Sequence, residues 1–193
     1  MVGVVATGCL ILLAGCGGTG SDLDQPDPRQ PSASAVSPIP SVNNPRDVAA
    51  MARRTCELLP SPQAAGFGLD LPPQQSDGLF GTVRCVWRST APDRSEYRRV
   101  GIGVFTNNLT LEAVYSMRED LPFFELTEVG GYPAIVTRSN ADLPICDIDV
   151  KPAERQSVTV SYESGEFDND PQQACVVGKR IAESVVLNLP TKS

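Results

Sequence analysis

Apolar and polar residues alternate along the middle of the chain. In the segment GTVRCVWRST, Val83, Cys85 and Trp87 fall on one side of an extended backbone, and Arg84 and Arg88 fall on the other. This period of two predicts a β-strand with one buried face. Further short segments of strand character are YRRVGIGVFT, FFELTEV, YPAIVTR, ICDIDV and SVTVSY. Four of these follow one another closely, which favours antiparallel pairing.

Helical periodicity occurs at both ends of this strand-rich region and once within it. Asn44-Pro45 predicts the start of a first helix that runs toward Leu59, and TLEAVYSMRED predicts a second. Between Pro171 and Leu189 one apolar stripe predicts a third. Its members are Ala174, Cys175, Gly178, Ile181, Ala182, Val185, Val186 and Leu189. The sequence therefore predicts an α+β fold, an antiparallel sheet of about five to seven strands packed against helices, including a C-terminal helix.

The first fifteen residues contain no charged side chain and form an apolar run that is too short to span a bilayer as a mature helix. This length suits the apolar part of a signal peptide. The following Leu13-Ala14-Gly15-Cys16 resembles the lipobox of bacterial lipoproteins, which implies cleavage before Cys16 and a diacylglycerol on its thiol. The alternative is a buried helix start with an ordinary cysteine.

A change of composition follows the lipobox. Residues 17–45 contain six prolines, five serines and three glycines, with few large apolar side chains. Such a segment cannot bury enough surface to fold, so it predicts a tether. The expected organisation is a lipoprotein signal peptide at 1–15, a lipidated cysteine and tether at 16–45, and a single globular α+β domain at 46–193.

Charge and composition exclude several function classes. The chain of 193 residues has a net charge of −7, so it offers no basic surface for nucleic acid. It contains no histidine, which removes the commonest general base and the commonest metal ligand. No serine-nucleophile motif occurs. We therefore predict no catalytic residue, no metal site and no cofactor.

Four cysteines remain once Cys9 and Cys16 are assigned to the signal and the lipid anchor: Cys56, Cys85, Cys146 and Cys175. In an exported protein four thiols indicate two disulfides. Each lies where an inward-facing residue is expected. Three pairings are open, and the fold favours Cys56 with Cys85 and Cys146 with Cys175, because each bond would tie a helix to a neighbouring strand. Zinc binding would need close C-x-x-C spacing, which is absent.

Two segments could carry binding chemistry. Asp147 and Asp149 share one face of a strand, close enough for a cation or for paired acid chemistry, although a solvated outer face is the favoured interpretation. Residues Gly130, Gly131, Tyr132 and Pro133 form a candidate contact loop, although a tight turn with a packed tyrosine is favoured. Gly101-Ile102-Gly103 lies within a strand and indicates close backbone packing, because the third glycine of a dinucleotide loop is missing.

Several motifs together resemble the actinobacterial lipoproteins of the domain of unknown function 3558 family. They are CELLPSP from Cys56, CVW from Cys85, VGGYPA from Val129, CDIDV from Cys146, and the Asp170-Pro171 that precedes Cys175. Their order and the lipobox carry the resemblance, which spans nearly the whole predicted domain. It implies an extracytoplasmic lipoprotein and no known activity.

The functional expectation is a binding or interaction module on the extracytoplasmic face of the cell membrane, held by a lipid. Its expected partner is an envelope protein, a lipid or a glycan. It is not expected to be an enzyme. Two alternatives remain open: a carboxylate-dependent, glycosidase-like envelope enzyme, and an accessory subunit of an envelope complex.

Overall fold

Seven antiparallel strands form one sheet in the part of the chain that the computed structural model describes, residues 38–78, 81–107 and 109–192. They are β1 (Gln74–Asp77), β2 (Val83–Arg88), β3 (Arg98–Phe105), β4 (Phe123–Val129), β5 (Tyr132–Arg138), β6 (Ile145–Ala153) and β7 (Gln156–Ser164). Their order across the sheet is β1-β2-β3-β7-β6-β5-β4. Two meanders, β1 to β3 and β4 to β7, therefore meet where β3 pairs with β7.

Within these described residues three α-helices accompany the sheet: α1 (Ser61–Gly66), α2 (Leu111–Ser116) and α3 (Gln172–Leu187). Short 3-10 helices span Ala49–Met51, Thr55–Leu58, Arg94–Glu96, Arg118–Asp120 and Gly165–Phe167. The longest helix, α3, packs on β6 and β7 with the apolar stripe that its sequence predicts. The predicted α+β fold, with an antiparallel sheet and a C-terminal helix, is confirmed.

The main core lies between α3, the 3-10 helices that precede α1, and one face of the sheet. The apolar residues that alternate along the strands form this face of the sheet. Fully buried examples are Trp87 on β2, Ile102 on β3, Ile148 on β6 and Val160 on β7. Because side chains alternate between the two faces of a strand, the remaining residues of these strands point to the opposite face.

Both disulfides belong to this core. Cys56, in the 3-10 helix Thr55–Leu58, is bonded to Cys85 of β2, and Cys146 of β6 is bonded to Cys175 of α3. This is the pairing that the sequence favoured. Each bond fixes a helical segment to the strand beneath it across a sequence separation of 29 residues.

The helical segment before β1 differs from the sequence-based expectation. The two 3-10 helices Ala49–Met51 and Thr55–Leu58 replace the single helix predicted from Asn44, and α1 begins in the proline-containing segment that follows Leu59. Pro60 is the N-cap of α1 and Pro62 lies in its first turn. Proline is tolerated there because the first amides of a helix have no intrahelical acceptor.

Residues 38–45 pack on the domain, although composition assigned them to the tether. Ile39 is 4% exposed, and the amide of Val42 donates to the Glu154 carboxylate at 2.8 Å. The carbonyl of Asn44 accepts a hydrogen bond from the Tyr132 hydroxyl at 2.9 Å. The folded part therefore includes residues upstream of the boundary at 45, because two isolated apolar side chains in a proline-rich segment are enough to anchor it.

The opposite face of the sheet is only partly covered. A smaller apolar cluster of Ile39, Leu111, Val114 and Ile135 holds α2 against β5. Beside this cluster the buried Lys151 ammonium lies 3.0 Å from the Glu112 carboxylate and 2.8 Å from that of Glu154. These contacts fix α2 over one side of the face and leave the other side open.

Candidate functional site

The open part of this sheet face forms a groove of about 660 Å³, which we call the sheet groove. Its floor is made by outward-facing residues of six strands, and one wall is made by α2 and the residues that follow it. The lining includes Ser76, Arg84, Val86, Arg88, Arg99, Gly101, Gly103, Phe105, Leu109, Val114, Met117, Leu121, Thr137, Asp147, Asp149, Thr159 and Ser161. The groove thus combines charged groups, hydroxyls and apolar side chains on one surface.

Two glycines of β3 lower the floor of the sheet groove. A Cβ atom built on Gly101 would lie 2.1 Å from Nη2 of Arg84, so the guanidinium rests directly on the backbone of Gly101. A Cβ atom on Gly103 would lie 3.0 Å from the ring of Phe105. The close packing that the sequence indicated at this glycine pair is therefore confirmed: the Arg84 side chain packs against the backbone of Gly101, and the Phe105 ring packs against that of Gly103.

Three arginines occupy one end of the groove. Arg88 and Arg99 face each other across the β2–β3 pair. Arg88 donates to the Gln74 side chain at 3.0 Å, and the guanidinium of Arg99 lies 3.9 Å from the Glu163 carboxylate. Arg84 is half-buried and makes no hydrogen bond or ion pair with any residue that the structure describes. Burial and then the charge of Arg99 lower the pKa of Arg84, while Asp147 acts in the opposite direction.

Two carboxyl groups of β6 lie farther along the floor. Asp147 is paired with Ser161 of β7, and Asp149 is paired with Thr159. The Thr159 hydroxyl donates to the carboxylate of Asp149, whose residue is only 5% exposed. Burial raises the pKa of Asp149 to about 7, the bond from Thr159 lowers it, and the charge of Asp147 raises it further. The solvated outer face favoured by the sequence is wrong for Asp149, because α2 and the neighbouring strands cover it.

The apolar wall of the groove begins with α2. Thr110 caps this helix by accepting a hydrogen bond from the amide of Ala113 at 3.3 Å. Val114 points toward the sheet and is buried, whereas Met117, which follows the helix, is 47% exposed. Leu121 extends the same wall. A hydrocarbon segment could therefore contact this wall while a polar group reaches the floor.

The predicted contact loop is a two-residue β-hairpin turn between β4 and β5. Gly130 and Gly131 both have positive φ, 59° and 83°, which is the requirement of a type I′ turn. Tyr132 is buried, and its hydroxyl accepts a hydrogen bond from Nε of Arg46 at 2.9 Å. Pro133 and these three residues border a second depression of about 530 Å³ beside residues 38–44. The tyrosine ring thus fixes the preceding segment, and a binding role for this loop stays a prediction.

Other predicted features lie elsewhere or outside the described residues. Cys16, the signal peptide at 1–15 and the tether as far as residue 37 lie outside them. Among the described residues no group of three or more His, Cys, Asp or Glu side chains could hold a metal ion. Within the same part of the chain no helix has the length and apolar character needed to cross a membrane.

The sequence identified the outward face of single strands but did not assemble the groove. Alternation placed Arg84 and Arg88 opposite the buried side of β2, and it placed Asp147 and Asp149 together on β6. Strand order was not available from this pattern. The convergence of the β2 arginines, Arg99 and the β6 carboxyls depends on β3 pairing with β7, which joins residues about 60 positions apart in the sequence.

A family model described as a protein of unknown function (DUF3558) matches residues 11–188, which include the whole sheet and α3. No curated protein and no solved structure matches the chain.

Proposed function

We propose that this chain, which belongs to the DUF3558 family of proteins of unknown function, is a lipid-anchored extracytoplasmic binding protein whose ligand occupies the sheet groove. The observation that carries the binding function is the groove itself. A concave floor with glycines, a few polar side chains and an adjoining apolar wall is the form that small-molecule sites usually take. The expected ligand or partner is a component of the cell envelope.

Sequence features support the proposed location. The lipobox that ends at Cys16 implies a diacylglycerol anchor, and the proline-rich residues after it suit a tether. Two disulfides in a small domain suit an oxidising compartment outside the cytoplasm. Acyl chains contribute about 0.8 kcal/mol per buried methylene, so a lipidated Cys16 would hold the protein on the membrane without a spanning helix.

A carboxylate-dependent enzyme receives less support from the same groove. Glycosidases place two carboxyl groups on either side of the bond to be cleaved. Asp147 and Asp149 project in the same direction from one strand. The carboxylate of Asp149 already accepts a hydrogen bond from the Thr159 hydroxyl. Asp77, at the other rim, lies four strands away from Asp147, about 19 Å at the usual strand spacing. The groove carboxyls of β6 therefore lie on one side of a ligand, and Asp77 is too far away to act with them across a bond.

An accessory subunit would instead use an exposed apolar surface. Val176 and Leu187 are exposed on α3, 47% and 56% respectively, and they are eleven residues apart, which places them on one side of the helix. This surface lies on the opposite face of the sheet from the groove. The two functions therefore predict contacts on different sides of the domain.

Removal of the anchor cysteine is expected to release the protein from the membrane. We expect Cys16→Ser to move the chain from the carbonate-resistant membrane fraction to the soluble fraction, because no acyl chain can be attached to serine oxygen by the lipoprotein pathway. Cys9→Ser, in the segment expected to be cleaved, is the matched control and should leave the protein on the membrane. Retention of Cys16→Ser after carbonate and salt washes would contradict the anchor.

Photo-crosslinking tests which side of the domain meets the ligand. A photoreactive benzoylphenylalanine is placed at Met117 in one variant and at Val176 in another, since both residues are 47% exposed and lie on opposite sides of the sheet. After illumination in the native envelope we expect adducts from position 117 and none from position 176. Adducts from position 176 alone would favour the accessory subunit and reject the groove.

A further inference from the structure

The charged groups of the sheet groove are not distributed evenly. The chain has a net charge of −7, yet Arg84, Arg88 and Arg99 lie together at one end of the groove floor. Like charges in one place raise the electrostatic free energy of the folded protein unless a counter-charge is present. Arg88 and Arg99 have neighbours in Gln74 and Glu163. Arg84 has neither a hydrogen-bond partner nor an ion-pair partner among the described residues, and Asp147 is the carboxylate whose charge acts on it without such a contact.

The position of Arg84 is fixed by its surroundings. Its guanidinium approaches Gly101 through its Nε–Nη2 edge, with Nη2, Nε and Cζ all within 2.6 Å of where a Cβ atom of residue 101 would be. Next to Gly101 across the β3–β7 pair is Ser161, which is half-buried and lines the groove. The Nη1–Nη2 edge, on the side away from Gly101, also carries two parallel N–H donors, and with a hydroxyl beside it this edge is suited to the two oxygens of an oxyanion.

Apolar groups adjoin this polar floor. Val86 lies on the same strand as Arg84, opposite Gly101 in the sheet register. Met117 and Leu121 form the wall above the floor. A free inorganic anion would leave this wall in contact with water. A ligand with a hydrocarbon segment would bury it, at a gain of roughly 25 cal/mol per Å² of apolar surface.

We infer that the groove binds an amphiphilic anion, a carboxylate or phosphate attached to a hydrocarbon segment, with Arg84 holding the anionic group and Met117 and Leu121 contacting the hydrocarbon. The inference rests on the proposed function and names the chemical class of its ligand. Arg99 contributes a second positive charge at the same end, and the Ser161 hydroxyl donates to the anion. Arg84 is therefore the residue to which we assign the anion, and the charge of Asp147 alone does not provide it with a direct partner.

Calorimetric titration of the full chain in phosphatidylcholine nanodiscs tests this chemistry, with empty nanodiscs as the blank. The probes are hexyl phosphate, hexanoate, 1-hexanol and hexylamine, which share one chain length, together with inorganic phosphate. We expect hexyl phosphate, hexanoate or both to bind at least about tenfold more tightly than hexanol, hexylamine and inorganic phosphate. Comparison of hexyl phosphate with hexanoate distinguishes a phosphate from a carboxylate ligand.

Two variants locate the anion. Arg84→Gln should weaken binding of the preferred anionic probe by about tenfold or more. Gly101→Ala keeps the charge but places a methyl group where the guanidinium lies, so it should weaken binding in the same direction. Arg53→Gln is the matched control: Arg53 is exposed beside the 3-10 helix Ala49–Met51, outside the groove, and its replacement should change the affinity less than twofold.

The possible results separate this inference from the proposed function. Preferred binding of hexanol or hexylamine, unchanged by Arg84→Gln, would overturn the anionic ligand and leave the groove as the ligand site. Equal effects of Arg84→Gln and Arg53→Gln would show a general charge effect and would also overturn the assignment to Arg84. Failure of all five probes to bind would reject the amphiphilic anion, whereas the groove as the ligand site is rejected by the photo-crosslinking result.

Discussion

Replacement of Asp149 by asparagine is expected to raise the free energy of unfolding by about 4 kcal/mol above pH 7 and to leave it nearly unchanged at pH 4. The buried carboxyl has a pKa of about 7 in the folded protein, mainly because burial disfavours its charged form. In the unfolded chain its pKa returns to about 3.9. Between these values the folded state holds a proton that the unfolded state has lost.

The sign follows from this difference in proton binding. Below about pH 4 both states are protonated, so Asp149 imposes no penalty on folding. As the pH rises toward 7, unfolding releases the proton, and the wild-type protein loses stability until Asp149 ionises in the folded state as well. Asparagine has no proton to lose, and its carbonyl oxygen can accept the same bond from Thr159.

The measurement is urea-induced unfolding of wild type and Asp149→Asn at several pH values from 4 to 8. Other carboxylates contribute with the opposite sign. Burial raises the pKa of Glu112, but hydrogen bonds from its own backbone amide and from Lys151 outweigh it and lower the pKa. The hydrogen bond from Lys151 lowers the pKa of Glu154. These contributions cancel when the free energy of unfolding of the variant is subtracted from that of wild type at the same pH. A difference that stays constant across the pH range would contradict a raised pKa at Asp149.

Loss of the Cys146–Cys175 disulfide is expected to reduce the free energy of unfolding by about 3.5 kcal/mol in the Cys146→Ala/Cys175→Ala variant. The bond closes a loop with a sequence separation of 29, and its removal restores conformational freedom to the unfolded chain. It also joins the centre of the sheet to α3, which covers the main core. Denaturation without reducing agent provides the measurement.

The second disulfide supplies a matched control. Cys56 and Cys85 have the same sequence separation of 29, so the Cys56→Ala/Cys85→Ala variant should lose a similar entropic contribution. Cys56 is half-buried, whereas Cys146 and Cys175 are both buried, so the cavity left by the sulfurs should make the loss larger for the α3 bond. Wild-type stability of both variants in oxidising buffer would contradict the assignment of two structural disulfides.

The strands were predictable from sequence where one face is buried and the other is not. β2 and β3 follow the alternation around Trp87 and Ile102, and α3 follows its apolar stripe. β1 could not be found in this way, because Gln74–Asp77 is an exposed edge strand with no apolar side chain and is held only by its pairing with β2. Its existence depends on the neighbouring strand and not on its own residues.

The start of the folded part was less predictable for a related reason. Composition averaged over residues 17–45 indicates a tether, but individual side chains decide where docking begins. Ile39 fills a position against Leu111 and Ile135, and Val42 packs on the main core. A few buried contacts and the hydrogen bond from the Val42 amide to Glu154 fix this short segment. An average composition over many residues does not reveal such individual contacts.

The groove could be predicted in its components but not as a site. Alternation placed Arg84 outward and Asp149 with Asp147, yet a strand pattern does not say which outward residue is later covered. Asp149 is buried because α2 returns over β5 and β6, a tertiary contact that depends on Ile39 and Lys151 as well. The pKa of about 7 is thus a property of the assembled sheet.

The most direct test of the sheet groove as ligand site is a competition version of the photo-crosslinking experiment. Full-length protein with benzoylphenylalanine at position 117 or 176 is illuminated in its native envelope with and without hexyl phosphate. The groove account predicts adducts at position 117 and none at position 176, and a phosphate-bearing ligand further predicts that hexyl phosphate suppresses the adducts at position 117. Adducts that form only at position 176, with none at position 117, would contradict it.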